Sequence, residues 1–248
     1  MFYKSLSIIL FFCFIGNDFA NSKIWNINIE GYLSGFKVGE SKVLFEISNQ
    51  KYNLKVESTT SGITKIFYPW KQNILVIGNI NKFKILPSIY KIQDLRENKK
   101  TGYININFQN NYPKIISAHP NPDMDTRRKK VSRGLLKDTL DPVNAILDLG
   151  FRSAKDNNCN QIINVFDGRR RFNLKFTQIE KNLNELKCKL NIIRIAGYSE
   201  KELKKHPREG TIILKKLSNY NLYFPTEVKI PLTIGSFYVK LSENLLLE

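Results

Sequence analysis

Residues 163–176 read Ile-Asn-Val-Phe-Asp-Gly-Arg-Arg-Arg-Phe-Asn-Leu-Lys-Phe, and they contain two alternating runs joined by Asp167 and Gly168. Apolar and polar side chains alternate on both sides of this dipeptide, which is typical of strands that bury one face. Asp-Gly between two such runs favours a type I′ hairpin, in which both turn residues have positive φ. The segment therefore predicts two antiparallel strands joined by a tight turn.

The same period of two recurs along most of the chain, at residues 25–30, 43–48, 52–57, 104–108, 186–192, 228–232 and 237–241. Strands with one buried and one solvated face pair in antiparallel sheets, because parallel strands are usually apolar on both faces. Hydrophobic residues make up 42% and charged residues 25% of the 248 positions, which argues against a disordered, collagen-like or multi-pass membrane protein. We expect a mainly β fold, with one large curved antiparallel sheet that forms a half-barrel or β-spiral.

Two short segments have helical spacing instead. Ile63, Ile66, Phe67 and Trp70 would form one apolar helical face. Further along, Asp141 followed by proline is a favourable helix start, and Gly150 is a candidate C-terminal stop after about two turns. Residues 120–138, between these segments, are basic and irregular, and we expect them to form a solvated loop.

The three arginines of the hairpin differ in the face that alternation gives them. Arg170 shares the apolar face with Phe172, whereas Arg169 and Arg171 are expected to point to solvent. An arginine at the rim of an apolar face can bind a carboxylate or phosphate through two hydrogen bonds. The alternative is a structural ion pair with an inward-facing acid. The candidate ligand or ion-pair residues are Asp167, Gly168, Arg169, Arg170 and Arg171.

The N-terminus has the pattern of a secretory signal peptide. Lys4 precedes an apolar run at residues 6–15, which Ala20-Asn21-Ser22 follows as a cleavage site. The run is shorter than the roughly 20 residues that span a bilayer, although an uncleaved anchor is the alternative. We therefore predict a signal peptide at residues 1–22 and a single mainly β periplasmic domain at residues 23–248, not membrane-spanning.

The predicted export guides the interpretation of charge and cysteine. The formal net charge is +17, but an exported protein rarely meets nucleic acid, so an anionic lipid surface is the favoured partner of this charge. Cys159 and Cys188 are the two cysteines beyond the signal peptide, and we expect them to form a disulfide; two buried thiols are the alternative. The chain has only His119 and His206, and neither cysteine lies in a C-x-x-C motif, so the sequence predicts no metal site.

Residues 166–172, Phe-Asp-Gly-Arg-Arg-Arg-Phe, resemble the signature of an uncharacterised proteobacterial envelope family, domain of unknown function 3108. Segments in matching order extend the resemblance: residues 31–39, 87–90, 140–142, 188, 194–198 and 224–228. The resemblance covers nearly all of the predicted mature chain and implies a periplasmic protein with no assigned activity. The expected curved sheet is also similar to that of lipoprotein carriers, a likeness of fold that says little about function.

Motifs of catalysis are not complete in this sequence. Residues 48–51 match S-x-x-K, but they fall in an expected hairpin turn without the accompanying motifs. Asn121, Asp123 and Asp125 begin like a calcium loop, but the required glycine and the closing glutamate are missing. We therefore expect no enzyme, no catalytic residue and no cofactor.

Two classes of function remain. The first is a non-catalytic periplasmic binding or envelope-maintenance protein whose curved sheet holds an apolar or amphipathic ligand. Lipid, a lipoprotein or another envelope protein would be its partner. The alternative is a structural interaction protein whose concave face is filled by its own helix. An open apolar groove beside Arg170 favours the first class, and a packed interior favours the second.

Overall fold

A computed structural model describes residues 22–95, 101–205, 209–217, 220–233 and 235–242. Residues 1–21 of the predicted signal peptide lie outside the described residues. The described strands form one 13-stranded sheet. Its first seven strands are β1 (Lys23–Leu33), β2 (Phe36–Ser48), β3 (Lys51–Thr60), β4 (Lys71–Asn81), β5 (Lys84–Leu95), β6 (Gly102–Gln109) and β7 (Tyr112–His119). The other six are β8 (Gln161–Phe166), β9 (Arg171–Lys181), β10 (Glu185–Ala196), β11 (Glu209–Lys216), β12 (Tyr223–Pro231) and β13 (Ser236–Leu241).

The sheet is a meander in which strands that are consecutive in the chain pair antiparallel. Its order is β7-β6-β5-β4-β3-β2-β1-β13-β12-β11-β10-β9-β8, so the first and last strands pair with each other. The two edges, β7 and β8, are neighbours in the chain and do not pair. The right-handed twist of so many strands curls the sheet, and it forms a nearly closed barrel with one gap. The predicted mainly β, curved antiparallel sheet is confirmed.

The chain between β7 and β8 lies along this gap and is hydrogen-bonded to both sides of it. On the β8 side, Leu140 forms a parallel bridge with Val165. On the other side, the amide of Asp138 donates to the carbonyl oxygen of Asn111, in the β6–β7 turn, at 2.8 Å. We call residues 120–141 the connector. Instead of a fully solvated loop, it is a segment that covers backbone groups at the edges of the sheet.

Helix α2 (Pro142–Asp156) follows the connector and occupies the interior of the barrel. Asp141 caps it, as predicted, by accepting hydrogen bonds from the amides of Val143 and Asn144. The helix continues through Gly150, so the predicted stop there is wrong. Gly150 instead allows close packing, because a Cβ atom at this position would collide with the carbonyl oxygen of Tyr223 in β12.

Apolar side chains on two faces of α2 fill the middle of the barrel. Leu147 and Phe151 pack in a core with the inner faces of β1–β6. Ala145 and Leu149 pack in a second core with β8–β12. A polar anchor joins the helix to the first half, since the hydroxyl of Tyr52 donates to the side-chain oxygen of Asn144 at 2.7 Å. The central part of the barrel is therefore packed by the protein's own helix.

The two remaining helices lie at one end of the barrel. Helix α3 (Glu200–Lys205) follows β10, and α1 (Ile63–Phe67) connects β3 to β4. The helix predicted from the spacing of Ile63, Ile66, Phe67 and Trp70 is present but ends at Phe67, so Trp70 lies outside it, and no residue of the helix is buried. One short turn of helix at a strand connection has no second layer against which to pack.

The predicted disulfide between Cys159 and Cys188 is confirmed, with Cα atoms 6.4 Å apart. It joins the segment after α2 to the middle of β10, inside the second core. The two cysteines are 29 residues apart in the sequence. Closing a loop of this length restricts the unfolded chain, and the chain-entropy model assigns such a crosslink roughly 3–4 kcal/mol.

Candidate binding site at the arginine loop

Inward-facing side chains of β4, β5 and β6 form layers along the barrel axis. In one layer are three isoleucines, paired across the strands: Ile74, Ile92 and Ile104. The next layer, closer to α2, is fully buried and consists of Val76, Tyr90 and Ile106. The isoleucine layer is only partly buried. It is the apolar floor of an open cleft of about 560 Å³.

The layer above the floor is polar. Gln72 in β4 donates a hydrogen bond to the carboxylate of Asp94 in β5 at 2.6 Å. Both side chains line the cleft, together with Pro142 and Val143 from the start of α2. The cleft is thus apolar at its base and polar at its rim, which is the usual composition of a small-molecule site.

Residues 167–170, which we call the arginine loop, form the opposite wall of the cleft. The carboxylate of Asp167 accepts hydrogen bonds from the amides of Arg169 and Arg170, at 2.9 and 2.7 Å. The predicted type I′ turn is wrong: the loop has four residues, and of its members only Gly168 has positive φ. The aspartate side chain replaces the tight turn by folding back on the backbone, as Asx turns do.

Gly168 brings this loop against the floor. Its φ of 92° and its contact with Ile104 both favour glycine, because an added Cβ would lie 2.8 Å from Cγ2 of Ile104. Backbone of the arginine loop therefore packs directly on the isoleucine layer.

Arg171, expected in solvent, is the most buried of the three arginines, with 6% of its surface exposed. Its Nε donates to the carbonyl oxygen of Leu135 at 2.9 Å, and its Nη1 donates to the side chain of Asn173 at 2.6 Å. Burial lowers the pKa of its guanidinium. The connector covers this side chain, which overrides the face that strand alternation gives it.

Arg170 forms ion pairs with acidic side chains, which is the structural alternative to a ligand site. Its guanidinium bonds to Asp167 at 2.8 Å and lies 3.7 Å from Glu202 in α3. Burial lowers the pKa of Arg170, but these two carboxylates outweigh that effect and the net shift is upward. Arg170 thus joins the arginine loop to α3.

Arg169, also expected in solvent, is half-buried in the wall of the cleft, because the chain around Pro120 packs beside it, and it has no salt bridge among the described residues. One Nη donates to the carbonyl oxygen of Pro120 at 3.2 Å, while the buried Nε has no hydrogen-bond partner in the described chain. Burial and the nearby Arg128 lower its pKa, and Asp167 only partly opposes this. Of the two arginines that line the cleft, Arg170 forms ion pairs and Arg169 forms none with the described residues.

Arg128 and Glu202 lie behind the arginine loop, where Glu202 is 3.7 Å from Arg170. They make a two-bond ion pair, at 2.8 and 2.9 Å, and Arg128 also pairs with Asp125. The pair ties the connector to α3. The hydrogen bonds from Arg128 lower the pKa of Glu202 to about 2.

The described residues contain no group of three or more His, Cys, Asp or Glu side chains that would hold a metal ion. Within the same ranges, no helix combines the length and hydrophobicity needed to cross a bilayer.

Most of the chain matches the model of a known protein family. The model of a family described as "Protein of unknown function (DUF3108)" matches residues 25–242. The chain belongs to this family. DUF3108 is the family that the arginine-loop motif resembles, so the predicted membership is confirmed.

Comparison with solved structures extends the likeness in fold. This DUF3108 chain is similar to a β-barrel-like protein of the domain of unknown function DUF1849 from Brucella abortus, with a TM-score of 0.50 and 9% identity. The match covers 90% of this chain and 96% of the other. At that identity the likeness concerns the fold alone. No curated protein matches the chain.

Several residues of the cleft had no local signal in the sequence. Pro120 and Asp94 lie at strand ends far from the arginine loop in the chain, and Glu202, which contacts Arg170 from outside the cleft, lies in a lysine-rich helix. Only the pairing of β4, β5 and β6 brings the isoleucines into one layer. Alternation predicts that Ile104 and Ile106 point inward. It does not predict that the isoleucine layer is partly open to solvent.

Proposed function

We propose that this protein is a non-catalytic binding protein of the cell envelope that holds an amphipathic molecule with an anionic head group. The observation that carries the proposal is the partly exposed isoleucine layer beside Arg169, whose guanidinium lacks an anion. An apolar chain would lie on Ile74, Ile92 and Ile104, and a carboxylate or phosphate would accept hydrogen bonds from Arg169.

The dimensions support a small ligand. The cleft of about 560 Å³ lies within the range of roughly 300–1,000 Å³ that is usual for ligand sites. Its floor continues directly into the packed core, so the ligand would cover apolar surface that is otherwise wet. Burial of such surface is the main source of affinity for an acyl chain.

A periplasmic location belongs to the proposal as well. The predicted signal peptide and the disulfide both support an oxidising compartment outside the cytosol. The positive charge of the chain favours partners with anionic head groups over neutral ones.

The second candidate is a structural interaction protein without a small ligand, and the packing of α2 favours it. In that case the cleft would be a crevice left at the end of a filled barrel. The two candidates predict opposite results in one binding experiment.

The experiment measures displacement of the uncharged fluorophore N-phenyl-1-naphthylamine by dodecyl phosphate and by dodecanol. We expect both amphiphiles to displace the fluorophore, and dodecyl phosphate to bind with the higher affinity. Arg169→Ala should lower the affinity for dodecyl phosphate about tenfold or more, because a charge-assisted hydrogen bond is lost. The affinity for dodecanol should not change.

Lys175→Ala is the matched control, since it removes one positive charge from an exposed position on β9. It should leave both affinities unchanged. Failure of the fluorophore and of both amphiphiles to bind would contradict the proposal and favour the structural candidate. Equal weakening by Arg169→Ala and Lys175→Ala would show that only the overall charge matters.

A further inference from the structure

The end of the barrel that holds the arginine loop also exposes large apolar side chains. Four of them form what we call the apolar rim: Phe36 (74% exposed), Ile63 (67%), Ile66 (76%) and Phe67 (80%). Phe36 begins β2, and the other three belong to α1. Monomeric soluble proteins rarely expose such apolar groups together without a binding role.

Backbone contacts place these residues side by side. The amide of Ser61, two residues before α1, donates to the carbonyl oxygen of Val38 at 3.1 Å. A Cβ at Gly62 would lie 3.3 Å from the carbonyl oxygen of Lys37. Helix α1 therefore begins against the start of β2, next to Phe36.

Strand direction shows that the apolar rim and the arginine loop are at the same end. Neighbouring strands of the sheet run antiparallel without interruption from β2 through β1 and β13 to β9. Along this path β2 and β9 have the same direction, so both begin at one end. Phe36 starts β2, and the arginine loop immediately precedes β9.

The charges around the apolar rim are positive. Lys65 in α1 and Lys71 at the start of β4 are exposed, and neither forms a salt bridge in the described part of the chain. The two acids on the strands beside Phe36 are already paired, since Lys37 lies 2.9 Å from Glu30 and 3.2 Å from Glu40. Apolar side chains flanked by unpaired lysines are the pattern of a surface that enters the interface of an anionic membrane.

We propose that the apolar rim docks this protein on an anionic lipid bilayer, with Ile66 and Phe67 entering the interfacial region. A second copy of the chain is a poorer occupant, because two proteins with a formal charge of +17 repel each other. The docking surface goes beyond the proposed cleft ligand and does not depend on it. In the docked orientation, the end of the barrel with the cleft faces the lipid.

Flotation with phospholipid vesicles tests the docking. Residues 23–248 should bind vesicles that contain phosphatidylglycerol and should bind pure phosphatidylcholine vesicles weakly. The double variant Ile66→Glu/Phe67→Glu should lower the partition coefficient on phosphatidylglycerol vesicles by about tenfold or more, because two apolar groups no longer enter the bilayer. Added salt should weaken binding, as expected for the lysines.

Leu183→Glu is the matched control, since Leu183 is 91% exposed in the β9–β10 turn at the opposite end of the barrel. It should bind vesicles like the parent protein, and all variants should keep the parent melting temperature. Equal loss with Leu183→Glu, or no binding of the parent to phosphatidylglycerol vesicles, would overturn the proposal. A dimer in light scattering that Ile66→Glu/Phe67→Glu dissociates would overturn it in favour of a second copy. Because the fluorophore assay needs no membrane, failure of docking and failure of ligand binding are separable.

Discussion

The guanidinium Nε of Arg171 and the carbonyl oxygen of Leu135 are 2.9 Å apart, and this hydrogen bond ties β9 to the connector at the gap of the barrel. Arg171 also donates to the backbone oxygen of Phe172 and the side chain of Asn173. All three acceptors are uncharged, and no salt bridge of the described residues includes this arginine. Arg171 is therefore a buried cation whose hydrogen bonds all go to uncharged groups, and these bonds hold the connector and β9 together.

Arg171→Ala should therefore destabilise the protein more than Arg170→Ala, the reverse of what strand alternation predicts. Loss of the Arg171 side chain removes three hydrogen bonds made by a buried guanidinium, which should lower the free energy of unfolding by about 1–3 kcal/mol. Arg170 is 36% exposed in its side chain, so its ion pairs should contribute about 1 kcal/mol or less. Urea denaturation of both variants measures the difference. A larger loss for Arg170→Ala would show that the ion pairs dominate.

Gly168→Ala should destabilise the arginine loop by about 1–2 kcal/mol, because alanine is strained at positive φ. The added methyl group would also press against Ile104. Gly134→Ala is the control, since a Cβ there meets no atom within 4 Å and φ is not positive. A thermal melt should show a lower midpoint for Gly168→Ala and little change for Gly134→Ala. Equal midpoints for the two variants would mean that the loop can move away from the floor.

Strand periodicity predicted the architecture, because apolar side chains that point inward alternate with polar ones along each strand, and this pattern is visible in the local sequence. It also placed the loop of Asp167 and Gly168 between two paired strands, and the cysteine count predicted the disulfide. Periodicity failed at Arg171, because what covers a side chain depends on a connector more than thirty residues away in the chain. At α1 the helical spacing identified the helix and its apolar residues, but spacing alone does not show whether another element packs on them.

The length of the hairpin loop also could not be predicted from the sequence. Asp-Gly is compatible with a two-residue turn, but the carboxylate of Asp167 accepts two backbone amides and stabilises a four-residue loop instead. The isoleucine floor depends on registers between strands, which alternation within a strand does not fix. The cleft could therefore be found only in three dimensions, although Arg169 and Arg170 were candidates from the start.

The ion pair between Arg128 and Glu202 should make stability depend on acid pH. The pKa of Glu202 is lowered from 4.5 to about 2 in the folded protein, chiefly by the hydrogen bonds from Arg128. Its contribution is therefore fully present above about pH 4.5 and is lost as the pH falls toward about 2. Glu202→Gln should be less stable than the parent at pH 7, and the gap should narrow across this range. A gap that stays constant from pH 7 to pH 2 would contradict the role of the charge.

Asp94→Asn should strengthen the binding of dodecyl phosphate. Asp94 lines the same cleft as Arg169, and no salt bridge of the described residues neutralises its carboxylate. The carboxylate of Asp94 therefore repels an anionic head group bound at Arg169. Asparagine keeps an oxygen that accepts the hydrogen bond from Gln72, so the rim should retain its shape.

Removing one like charge near a half-buried site should raise the affinity for dodecyl phosphate by about three- to tenfold, according to the Coulomb energy at intermediate dielectric. The affinity for dodecanol should not change, because an alcohol carries no charge. Fluorophore displacement measures both amphiphiles on the same protein. An equal gain for dodecanol would show that Asp94 acts through polarity of the cleft, and a loss for dodecyl phosphate would mean that the head group binds away from Arg169.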